Sequence, residues 1–188
     1  MENVVDAPDI IGNVFGIGQG IAGALPTDCA CTVQIKNERS TYSLCNPCVH
    51  TKSGCYTIPF PPTIQPSAEG EAQFVKRPSR LKGAVSIITY DLCNSSSKEA
   101  AAKIAIMFKV PLKQKPNQCG LGVFDIGTEC NQDLFYEMSK NSGTTFVRGP
   151  AKGPNLTYKS ESVTIMATMS KAALVLWFGD KVGEEKLR

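Results

Sequence analysis

Five of the chain's eight cysteines crowd into residues 29–55, as Cys29-x-Cys31, Cys45-x-x-Cys48 and Cys55, with the single histidine, His50, among them. Thiolates and an imidazole in that number suffice for tetrahedral zinc, but their spacing is irregular for a ribbon or finger. Free thiols, or one or two disulfides, are the competing states, and sequence does not choose the pairs. No metal is assigned on this spacing. One histidine, with no Ser-x-x-Lys pair or hydrolase elbow, leaves nucleophilic catalysis without its usual base, so the chain is not expected to be an enzyme. Gly16-x-Gly18-x-Gly20 lacks the third glycine of a dinucleotide loop and follows no strand. No cofactor is expected.

The other segment with a chemistry of its own is the leader, Ile10-Ile-Gly-Asn-Val-Phe-Gly-Ile-Gly-Gln-Gly-Ile-Ala-Gly-Ala-Leu25. Read as a helix, it places Gly12, Gly16, Gly20 and Ala24 every four residues, a small-residue stripe that lets helices approach closely within lipid. Ile10, Ile11, Val14, Phe15, Ile17, Ile21 and Leu25 are the residues such a helix would give to a bilayer. Each interior glycine costs about 0.8–1 kcal/mol relative to alanine, so water favours this helix poorly, whereas lipid forces backbone groups to satisfy one another. Residues 4–25 as a helix would measure roughly 33 Å at about 1.5 Å per residue, against a hydrocarbon thickness of about 30 Å. Asp6 and Asp9 near the leading end suit a water-lined pore better than a passive anchor. The alternative is an apolar helix packed permanently on the rest of the protein.

These groups must be positioned by a chain of 188 residues, 42% hydrophobic and 20% charged, which is enough for one well-filled core. No run of about 18 uninterrupted apolar residues occurs, and the start, Met-Glu-Asn-Val-Val-Asp, lacks the positive charge of an export signal. The net charge is +3, but the first 35 residues carry only Glu2, Asp6, Asp9 and Asp28, so an acidic leader precedes a weakly basic body. That body has no dense basic stripe interleaved with aromatics, and nucleic-acid binding is not expected.

The body alternates: Val33 and Ile35; Ile104, Ile106, Phe108 and Val110; Val163, Ile165, Ala167 and Met169. Further strands are expected at residues 84–90, 123–126 and 173–178, separated by turn clusters at 59–66 and 149–154. Many short strands with such turns predict a mainly β, single-domain β-sandwich. One internal helix is predicted over residues 131–140, capped by Asn131, started by Asp133, with Leu134 and Met138 on one face toward a sheet. The expected division is an inserting segment at 1–28, the sandwich at 29–180 and a polar tail at 181–188.

Gly83-Ala-Val-Ser-Ile-Ile-Thr-Tyr-Asp-Leu92, Met107-Phe-Lys-Val-Pro111, Leu134-Phe-Tyr-Glu-Met138, Phe146-Val-Arg-Gly149 and Val163-Thr-Ile-Met-Ala-Thr-Met-Ser170 together resemble the actinoporin family and its vertebrate actinoporin-like members. The resemblance covers roughly residues 10–178. It implies a β-sandwich flanked by two short helices and a soluble monomer, secreted or released, that binds sphingomyelin-containing membranes through a phosphocholine pocket. It also implies that the N-terminal helix then inserts and the protein self-associates into a cation-permeable pore. Ser53, Val85 and Pro111 match the family's pocket-lining serine, valine and proline.

Lys109 replaces a second serine, and Pro116, Asn117, Gly120, Phe135, Ser139 and Lys140 stand where the family supplies an aromatic cluster. Aromatic faces contribute about 0.5–2 kcal/mol to a quaternary ammonium, so choline binding should be much weakened. Lysines add about 1 kcal/mol each toward an anionic surface, and Lys109, Lys113, Lys115 and Lys140 predict an anionic headgroup or sulfated glycan instead. The competing reading is a solvated loop and a dead pocket. Arg148-Gly149-Pro150 stands where the family often has Arg-Gly-Asp. Two functions follow: a pore former acting at a target cell membrane, or a non-lytic lipid- or glycan-binding module like the fungal fruit-body lectins, whose sandwich is similar.

Overall fold

The computed structural model describes residues 30–77, 83–111, 115–151, 155–170 and 172–180. Period-two alternation builds it. In β1 (Ala30–Asn37) Cys31, Val33 and Ile35 are fully buried on one face. In β6 (Ala84–Asn94) Ala84, Ile88, Tyr90 and Leu92 face the same interior, as do Ile104, Ile106, Phe108 and Val110 of β7 (Ala100–Val110). The other strands are β2 (Tyr42–Ser53), β3 (Cys55–Ile58), β4 (Thr63–Ile64), β5 (Ala68–Val75), β8 (Gln118–Phe124), β9 (Phe146–Pro150), β10 (Leu156–Lys159), β11 (Thr164–Met169) and β12 (Ala173–Gly179). The one helix among the described residues is α1 (Gln132–Lys140).

The strands form two six-stranded sheets, β10-β11-β12-β1-β5-β3 and β4-β2-β6-β7-β8-β9. Neighbours run antiparallel except β1 and β12, which pair in parallel. The sheets face each other across a continuous core, to which the first contributes Val33, Ile35, Leu174, Leu176 and Phe178 and the second Leu44, Ile88, Tyr90, Ile106 and Phe108. Phe74 of β5 meets Phe108 of β7 edge to face, with ring centroids 4.8 Å apart, joining the two layers. Burying each such side chain contributes roughly 1.5–3 kcal/mol. This is the expected β-sandwich.

The outer face of the second sheet carries α1. Asn131 Oδ1 accepts from the backbone N–H of Asp133 and Leu134, as the sequence predicts, and Leu134, Phe135 and Met138 pack on Ile87, Ala105, Met107 and Phe146. Strand boundaries differ from expectation in places. The strand expected at 123–126 is β8, which ends at Phe124 and starts at Gln118; Gly120 and Gly122 carry no side chain to display its alternation. The cluster at 59–66 contains the short β4, and β9 runs into the cluster at 149–154.

The other flanking helix, the inserting residues Ile10, Ile11, Val14, Phe15, Ile17, Ile21 and Leu25, the stripe Gly12, Gly16, Gly20 and Ala24, and the tail at 181–188 all lie outside the described residues. Among the described residues no helix is long and apolar enough to cross a membrane.

Candidate functional site

Strand β2 is irregular twice, and both irregularities matter. Cys45 pairs with Asp91 and Cys48 with Thr89, so three steps along β2 match two along β6; the extra residue is taken up beside Asn46, whose φ is 52°. A second register shift follows between Thr51, opposite Ser86, and Ser53, opposite Val85. A bulge of this kind sets two residues against one and re-aims a side chain, which is how adjacent Lys52 and Ser53 come to line one recess.

From that bulge a row crosses the outer face of the sheet: Ser53 opposite Val85, and Val85 opposite Lys109. Gly83 and Pro111 close the end of the strands, and α1 supplies the facing wall with Phe135, Tyr136, Ser139 and Lys140, two adjacent pairs one turn apart. Lys115 stands at the rim. Together these groups enclose an open cavity of about 500 Å³. A side chain at Gly83 is excluded, because its Cβ would overlap the carbonyl oxygen of Val110.

All six residues expected to bind a headgroup, Ser53, Val85, Lys109, Pro111, Phe135 and Lys140, line this cavity, and so does Lys115. Lys113 lies outside the described residues. Pro116, Asn117 and Gly120 are not in the lining. Asn117 instead donates from Nδ2 to the carbonyl oxygen of Ser170, and Gly120 lies against the methyl groups of Met107 and Met138. Sequence reasoning missed Lys52 and Tyr136. The spacing of 135, 136, 139 and 140 on one helical face was a usable signal for Tyr136; a bulge leaves no such signal for Lys52.

The electrostatics are one-sided. Lys52, Lys109, Lys115 and Lys140 have no ion-pair partner among the described residues, where the ion pairs are Lys36–Glu69, Arg39–Asp180 and Lys103–Asp91. Burial lowers the Lys109 pKa below its ordinary value, and the charges of Lys140, Arg148 and Lys52 lower it further. The Lys52 ammonium sits 4.1 Å from the Tyr136 ring centroid and 5.2 Å from that of Phe135, and Lys109 Nζ lies 5.6 Å from Phe135. Lys52, by hydrogen bond and by charge, also lowers the Tyr136 pKa. The Ser53 hydroxyl oxygen is buried and has no hydrogen-bond partner among the described residues. A cavity so built has cations and an unused hydroxyl to offer an anion, and its aromatic faces are already covered by the chain's own ammonium groups.

Arg148 has a local duty. Its guanidinium donates to the carbonyl oxygens of Met138 and Asn141, satisfying the carbonyl end of α1 where a basic group is favoured. Cys31, Cys93 and Cys119 are buried, Cys130 lies against Cys48, and no group of three or more metal-ligating side chains forms among the described residues. Cys29 lies outside them. Cys31, Cys45, Cys48, Cys55, Cys93, Cys119 and Cys130 all carry free thiols.

No protein-family model and no curated protein matches the chain. Among solved structures it is similar to the lipid binding protein Nakanori, at 9% identity over 91% of this chain and 80% of that one, with a TM-score of 0.67. It also aligns with IP-1A from Alcaligenes faecalis, at 8% identity over 82% of this chain and 92% of that one, with a TM-score of 0.45. The likeness to Nakanori shows a shared fold.

Proposed function

We propose that this protein binds membrane lipid by taking an anionic headgroup into the lysine-lined cavity. The observation that carries the reading is the set of four lysines around about 500 Å³ of open space with no carboxylate paired to them among the described residues. Holding like charges together opposes folding, and an anion reverses that cost. Lys52 and Lys109 over Phe135 and Tyr136 occupy the faces that a choline group would need, so sphingomyelin, the lipid implied by the actinoporin resemblance, competes poorly with phosphatidylserine or a phosphoinositide. The fold shared with a lipid binding protein is consistent with this use.

The finer reading is a pore former. Its support is the sequence of residues 10–25, an apolar segment with a glycine stripe suited to close packing in lipid, together with the family resemblance. Surface docking through the cavity brings that segment to the bilayer, where it inserts and self-associates.

One experiment separates the steps. Flotation with phosphatidylserine, phosphoinositide and phosphatidylcholine vesicles reads docking, and dye release from the same vesicles reads the pore. Full-length protein should float with the anionic vesicles and release dye, and protein lacking residues 1–28 should float without release. Indifference to headgroup charge overturns the cavity assignment. Flotation without release by the full-length chain leaves the non-lytic lipid-binding module as the function.

A further inference from the structure

We infer that Cys48 and Cys130 form a thiol pair that a small-molecule disulfide oxidises to a cross-link, a modification site that fastens the start of α1 to strand β2. This rests on the positions of the two cysteines and is independent of the lipid reading.

In an unbroken strand, residues three apart point to opposite faces. The extra residue beside Asn46 cancels that alternation, so Cys48, opposite Thr89, shares the outer face of the sheet with Ile87 and the helix above it. Cys130 enters the same face from the other side, in the turn before the α1 cap Asn131. Its sulfur lies 3.3 Å from the Cys48 carbonyl oxygen and 3.8 Å from that of Ile87, which seats Cys130 directly against Cys48.

The two thiols differ in the way a stepwise exchange requires. Cys48 is exposed and Cys130 is half-buried against the apolar cluster under α1, where burial first of all pushes the Cys130 pKa up. The Cys48 thiolate therefore attacks first. Its sulfur bonds to one sulfur of a low-molecular-weight disulfide, whose own S–S bond breaks and releases one thiolate. Cys130 then gives its proton to solvent and attacks the Cys48 sulfur, expelling the second small thiolate. Two protein thiols are oxidised by two electrons, and the small disulfide is reduced to two thiols.

The cross-link would join positions 82 residues apart and hold the helix that forms one wall of the cavity. Closing a loop of that length should raise Tm by roughly 5–15 °C and slow amide exchange along α1.

The test equilibrates the intact protein with oxidised glutathione, alkylates the remaining thiols and maps the peptides. The expected result is a linked pair containing Cys48 and Cys130, lost on adding dithiothreitol, with Tm falling back as it is lost. In Cys130→Ser, Cys48 should stop at the mixed disulfide with glutathione, without the Tm rise. If Cys48 and Cys130 both stay alkylatable in the wild type, or if Cys48 links to Cys45 or any other cysteine, the inference is overturned. The wild-type map decides this even if the serine variant folds poorly.

Discussion

Two recesses flank β2, and they are built on opposite principles. One, of about 180 Å³, is lined by Pro47, Val49, Tyr56, Ile58, Pro59, Phe60, Ala72 and Phe74; several of these belong to the core, and the recess is a dent where the core reaches the surface. The other is the cavity beside α1, whose cations are set against one another over a buried hydroxyl that has no partner among the described residues. In the first, the buried members Phe60, Ala72 and Phe74 belong to the packed core. In the second, the lysines crowd together, whereas Lys36, Lys103 and Arg39 each have a carboxylate beside them and Arg148 is held by the carbonyl oxygens at the end of α1. What sets the cavity apart is convergence: Lys52, Lys140 and Arg148 bring their charges to bear on Lys109 in one recess, as the proposed anion site requires.

The contrast predicts that substitutions in the apolar recess act on stability and those in the lysine cavity on binding. The largest effect is expected for Phe74→Ala, which removes a buried ring in contact with both Phe60 and Phe108 and should cost about 3–5 kcal/mol in urea unfolding. If the variant is as stable as wild type, the recess is not part of the core. Lys109→Met should weaken anionic-vesicle binding by about 1 kcal/mol, roughly fivefold, while urea stability stays level or rises. A loss of stability instead would mean that Lys109 is structural. Asn131→Ala should cost about 1 kcal/mol by uncapping α1, with vesicle binding reduced only as far as the helix frays.

Legibility in the sequence followed the same division. The core faces of β1, β7 and β11 were readable from their alternation, β6 and β12 as apolar runs bounded by turn residues, and α1 because Asn131, Asp133, Leu134 and Met138 state its cap, its dipole and its buried face. β2 was not, because its two bulges destroy the period on which strand reading depends, and β8 was blurred by Gly120 and Gly122. The cavity was legible as far as the resemblance reached, to Ser53, Val85, Lys109, Pro111, Phe135 and Lys140. Lys52 emerges only once register shows that the bulge turns it toward Tyr136.

Two smaller effects sharpen the comparison. The folded-state pKa of Lys109 lies below its ordinary 10.5, so the protonated lysine opposes folding. Stability relative to Lys109→Met should therefore rise with pH between the lowered value and 10.5, and anionic-vesicle binding should fall over the same window; a flat difference would show that the lysine is solvated. Last, Lys52→Met should move the Tyr136 phenol back up toward its ordinary 10.0, read as ultraviolet difference absorbance against Tyr136→Phe. No movement would place Lys52 away from the ring.

The most direct test is co-sedimentation of wild type and a Lys52→Met, Lys109→Met, Lys140→Met triple variant with vesicles that differ only in headgroup charge. Wild type should sediment with anionic vesicles and scarcely with choline vesicles, and the triple variant should lose the anionic preference by roughly a hundredfold while unfolding at no lower urea concentration. Equal sedimentation of the two proteins on anionic vesicles would contradict the cavity as the binding site.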